Sequence, residues 1–136
     1  MNFEDIKPNT IESIIFFVLY ICAQDKVISE SEKSFLIKIS KYELINEFKL
    51  FKLNKADLES TIHKMSNSMI KSNFLHKYTS KEEKALIDML INDTDVIKVA
   101  LRIARVAASA DEFSDREKIK FEYWINNWKS IILDGN

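Results

Sequence analysis

The sequence predicts an all-α single domain of about seven helices spanning residues 1–136, and three observations carry that expectation. One Gly and one Pro in 136 residues leave almost nothing to interrupt a helix or to build a tight turn. A sandwich or barrel needs a turn every eight to twelve residues or so, drawn from Gly, Pro and Asn-Gly pairs. The apolar residues recur at helical spacing, and Ser-x-x-Glu, the pattern of a capped helix start, occurs at Ser29, Ser80 and Ser114.

The elements follow in order. Pro8 breaks the chain, Asn9 and Thr10 offer N-caps, and a first helix runs from Thr10 to Gln24. Its residues from Ile14 to Ala23 are apolar on every side, which puts it at the centre of a core. A corner, Asp25 to Ile28, leads to Ser29 and a second helix to Tyr42, with Phe35, Leu36, Ile37 and Ile39 as its apolar residues and Lys33, Lys38 and Lys41 outward. Glu43 to Leu53 reads as one or two short helical turns. Asn54, with Asp57 three residues on, starts a helix through Leu58, Ile62, Met65, Met69 and Ile70 to Ser72.

Asn73 to Thr79 reads as a loop, and Ser80 with Glu83 opens a helix to Ile91. Asn92 to Asp95 cap a helix over Val96 to Ala110 whose polar residues, Lys98, Arg102, Arg105 and Ser109, form a single solvent stripe. A second corner, Asp111-Glu112-Phe113, precedes Ser114, which caps a last helix to Leu133. On that helix Phe121, Trp124, Ile125 and Trp128 recur at the spacing of a core stripe.

Composition excludes several function classes. A net charge of −1 gives no general attraction to nucleic acid or to an anionic membrane. A chain without internal glycines cannot form a phosphate-cradling loop, since Gly135 is the only glycine. The longest apolar run, Ile14 to Ala23, is half of the roughly 20 residues that cross a bilayer, so no membrane insertion is expected. Met1-Asn2-Phe3-Glu4-Asp5 lacks the basic flank of a signal peptide, and the single Cys22 can form no internal disulfide. Both point to a reducing, cytoplasmic setting.

The two ends of the chain repeat one another. Residues 10–42 read buried helix, Ala23-Gln24-Asp25, corner, Ser29-x-x-Glu32, amphipathic helix. Residues 96–128 read buried helix, Ser109-Ala110-Asp111, corner, Ser114-x-x-Glu117, amphipathic helix. Two pseudo-equivalent helical hairpins follow, joined by irregular middle helices.

At this point the chain resembles the TerB-like domain family, named for tellurite-resistance protein B. Its members carry an Ala-x-Ala-Asp-Gly-x-hydrophobic-Ser-x-x-Glu signature at a helix–corner–helix. The matching text is Cys22-Ala23-Gln24-Asp25-Lys26-Val27-Ile28-Ser29-Glu30-Ser31-Glu32, and again Ala108-Ser109-Ala110-Asp111-Glu112-Phe113-Ser114-Asp115-Arg116-Glu117. The signature's alanines are Cys22 and Gln24 in the first copy, and its glycine is Lys26 there and missing from the second. The resemblance implies a bacterial cytoplasmic module linked to tellurite or general chemical stress, acting without a defining enzymatic activity and through an unknown protein partner.

The residues that could carry chemistry are Asp25, Glu32, Asp111 and Glu117. Carboxylates hold hard divalent cations such as Ca²⁺ or Mg²⁺ where two or more converge. The same residues have a simpler role, since both Ser-x-x-Glu pairs are capping boxes and each Asp can satisfy backbone donors at its corner. Antiparallel packing of the two buried helices would set the corners at opposite ends and leave two weak sites.

No catalytic residue and no cofactor beyond such a cation is expected. His63 and His76 stand thirteen residues apart without a nearby Cys or paired His, and Cys22 lies in the most apolar stretch, as a small buried hydrophobe would. A metal-dependent hydrolase using the corner carboxylates is the enzymatic alternative, and an oligomeric scaffold the structural one. Arg102 and Arg105 of the second copy correspond to Phe16 and Leu19 of the first. Cover of Phe16 and Leu19 within the chain would give a monomer, and cover by a second copy a homodimer.

Overall fold

The computed structural model describes residues 3–25, 28–39, 55–71, 77–109 and 114–134. Those residues form six α-helices and no strand: α1 (Ile11–Cys22), α2 (Glu30–Ile39), α3 (Lys55–Lys71), α4 (Ser80–Leu90), α5 (Thr94–Ser109) and α6 (Asp115–Asp134). Short 3-10 turns occupy Phe3–Asp5 and Ala23–Asp25. The all-α expectation holds, and the expected turns at Glu43 to Leu53 lie outside the described residues. Among the described residues no helix is long and apolar enough to cross a membrane.

The helix starts are closed locally. Thr10 caps α1: its hydroxyl accepts from the Ser13 amide at 3.3 Å, and the Ser13 hydroxyl accepts from the Thr10 amide at 2.9 Å. Asp93 caps α5, its Oδ1 accepting from the amides of Asp95 and Val96 at 3.0 and 3.3 Å. Asn9 has a left-handed backbone, φ 58°, and clips the chain start to the α4–α5 corner. Its Oδ1 accepts from the amides of Asn92 and Asp93, both at 3.0 Å, and its own amide donates to the Leu90 carbonyl at 2.8 Å. The cap of α4 differs from the expected one. Thr79, not Ser80, closes the box, pairing with Glu82, and this one-residue shift frees Glu83 to turn inward.

α1 is the core. Every residue from Ser13 to Cys22 is buried, as an all-apolar helix requires. It packs against α5, α3 and α6, while α5 in turn meets α2 and α6. The second helix of each hairpin thus lies against the first helix of the other: α2 on α5, and α6 on α1 and its Ala23–Asp25 turn.

Trp124 and Trp128 of α6 are fully buried against Phe17, at ring-centroid distances of 6.1 and 5.1 Å. The expected solvent stripe of α5 is exposed at Lys98, Arg102, Arg105 and Ser109. Lys33, expected outward, is buried instead and pairs with Glu30 at 3.2 Å. Phe16 and Leu19 are each 1% exposed within the single chain, and the Phe3 ring lies 5.0 Å from that of Phe16.

Candidate functional site

Both corner capping boxes form as the sequence implies. The Ser29 amide donates to Glu32 Oε1 at 2.9 Å, and the Glu32 amide donates to Ser29 Oγ at 3.1 Å. The Ser114 amide donates to Glu117 Oε1 at 3.0 Å, and the Glu117 amide donates to Ser114 Oγ at 3.2 Å. Each acid thereby holds its own helix start.

The packing of α2 on α5, and of α6 on the Ala23–Asp25 turn as well as on α5, then does what local sequence cannot announce. It brings Glu32 and Glu117 together, with the thiol of Cys22, so that one donor atom of each lies within 4.8 Å of the others. All three residues are buried, Cys22 and Glu117 to 1% exposure and Glu32 to 5%. The separation expected of antiparallel buried helices is therefore not what the fold adopts: the two boxes share one place. The side chain of Asp25 and the whole of Asp111 lie outside the described residues.

This centre is electrostatically incomplete. Glu117 Oε2 is buried and accepts no hydrogen bond. Burial pushes the Glu117 carboxyl up to about 7; its bonds from Ser114 hold it down, and the adjacent Glu32 raises it further. Two carboxyls in contact away from water cannot both ionise cheaply, so the pair calls for a shared proton or a cation. The donor set fits a divalent ion. A tetrahedral ion held at about 2.3 Å from sulfur and about 2.0 Å from oxygen spaces its donors by roughly 3.5 Å, inside the 4.8 Å within which these three donors lie.

A second polar cluster, which sequence reasoning missed, joins α1, α4 and α6. Tyr20 of α1 donates its phenolic hydrogen to Glu83 Oε1, and the Trp124 indole donates to the Tyr20 oxygen at 3.3 Å. Lys120 Nζ reaches the same Glu83 oxygen at 3.2 Å. Burial first, and then the bond to Glu83, raise the Tyr20 phenol far above its ordinary value and hold it protonated. The four residues join α1, α4 and α6 through one satisfied network, the arrangement of a structural core and not of a reactive one. His63 is exposed on α3, and His76 lies outside the described residues. No protein-family model, curated protein or solved structure matches the chain.

Proposed function

We propose that this chain is a non-enzymatic, TerB-like interaction module of the bacterial cytoplasm, serving tellurite or general chemical stress, which holds a divalent cation between its two helical hairpins. The observation that carries the reading is the meeting of Glu32 and Glu117, the acids of two pseudo-equivalent capping boxes, around an oxygen that accepts no hydrogen bond. An ion there ties α2 to α6 and sets the hairpins relative to one another. Burial of all three donors suits ligation that stabilises a shape better than turnover of a substrate. The protein acts through its surface, where Ile119 is 69% exposed and Tyr123 stands exposed one turn further along α6.

The test is the metal content of protein purified from unsupplemented cells, together with thermal unfolding of chelator-treated protein in millimolar divalent cations. Bound metal or a raised midpoint is expected. Absence of both from Ca²⁺, Mg²⁺, Mn²⁺ and Zn²⁺ alike would remove the cation from the reading.

A further inference from the structure

We infer that the ion taken by this centre is a thiophilic, borderline cation of the Zn²⁺ class, bound through the Cys22 thiolate together with Glu32 and Glu117. The inference rests on the cation reading above and sharpens it from any divalent ion to one chemical class.

The argument is the donor set. Ca²⁺ takes six to eight oxygens or so, and Mg²⁺ demands an octahedron of oxygens and parts reluctantly with its water. Neither gains from sulfur. Cys22 Sγ lies within 4.8 Å of a carboxylate oxygen from each of Glu32 and Glu117, at a position 1% exposed. A buried three-donor cluster of one sulfur and two oxygens is a poor cage for a hard ion and an adequate one for zinc, whose fourth position a water or another side chain completes.

Charge supports the same choice. Glu117 Oε2 is buried without a hydrogen-bond donor beside the Glu32 carboxyl, and a cation at that oxygen would take the place of the proton the two acids otherwise share. On binding, the thiol and the carboxyl pair each give up a proton to solvent, and sulfur and the carboxylate oxygens donate electron pairs to the metal, with no change of oxidation state. Each acid keeps the Oε1 bond that caps its helix, and Glu117 Oε2 remains available for the metal.

Cys22 is the only cysteine in the chain, which makes the experiment unambiguous. The full chain, freed of metal by chelation and kept reduced, is titrated with Co²⁺ and followed by absorption. A sulfur-to-cobalt charge-transfer band that Zn²⁺ displaces is expected. Zn²⁺ at a hundredfold over its dissociation constant should raise the unfolding midpoint by roughly 8–10 °C, with Ca²⁺ and Mg²⁺ at equal concentration giving far less. Cys22→Ser should lose the band, and the wild-type spectrum decides the matter even if that variant does not fold. Binding of Ca²⁺ or Mg²⁺ as tight as that of Zn²⁺, or a cobalt complex without the thiolate band, would overturn the inference and leave the general cation reading standing. No binding of Co²⁺, Zn²⁺, Ca²⁺, Mg²⁺ or Mn²⁺ overturns both.

Discussion

Tyr20 and Glu83 are hydrogen-bonded across 63 residues of sequence, and their bond fastens the central helix α1 to α4. Tyr20→Phe removes the donor and leaves the Trp124 indole N–H without its acceptor, so a loss of about 2–3 kcal/mol in unfolding free energy is expected in urea titration. Glu83→Gln keeps an acceptor for Tyr20 and should cost less. Alkaline titration should show no phenolate signal from Tyr20 until the protein unfolds, because burial and the Glu83 carboxylate both oppose its ionisation.

Asn9 tests the clip at the chain start. Asn9→Ala removes three side-chain bonds to the α4–α5 corner, the two accepted by Oδ1 and the one Nδ2 donates to Asn92 Oδ1 at 2.9 Å, and leaves a Cβ in the left-handed region with nothing to offset it. A cost of about 2 kcal/mol is expected, of which Asn9→Gly should recover about 1, since glycine relieves the backbone and not the lost side chain. Urea midpoints of the two variants separate the contributions.

The metal-free protein should lose stability with rising pH through the range set by Glu117. Its folded carboxyl titrates at about 7 against an ordinary 4.5, so between those values the folded chain holds more proton than the unfolded one. The contribution is fully present below pH 4.5 and is lost as the pH climbs through 7, up to about 3 kcal/mol in all. Glu117→Gln should flatten that dependence and match or exceed the wild type at pH 8. Equal slopes for the two proteins in pH-resolved denaturation would contradict the assignment.

Phe3 covers Phe16, and that contact bears on oligomeric state. The wild type should sediment as a monomer at micromolar concentration, as the 1% exposure of Phe16 within one chain suggests. Phe3→Ala should cost about 3 kcal/mol and, by opening the face of α1, promote self-association measurable in the same run.

How much of this was legible in the sequence depends on the range of the interaction. The helices, the caps at Thr10, Ser29, Asp93 and Ser114, and the buried Trp124–Trp128 stripe are local features, and local spacing announced them. The α4 cap went one residue astray because Thr79-x-x-Glu82 and Ser80-x-x-Glu83 overlap. Only tertiary burial, which draws Glu83 towards Tyr20 and Lys120, chooses between them. Glu32 and Glu117 were identifiable as candidates, but their meeting depends on α2 crossing to α5 and α6 to α1. Cys22 was expected among apolar neighbours, and is buried as expected. That its sulfur faces two carboxylates follows from the same crossing.

The enclosure of α1 governs how the molecule comes apart. A twelve-residue helix with eleven buried residues has no solvent face on which to persist alone, and no neighbour can leave without wetting it. Its amides are expected to exchange with solvent only on global opening, so their protection measured by hydrogen exchange should equal the global free energy of unfolding. Protection of α1 is thus the expected measure of how strongly the described helices hold together.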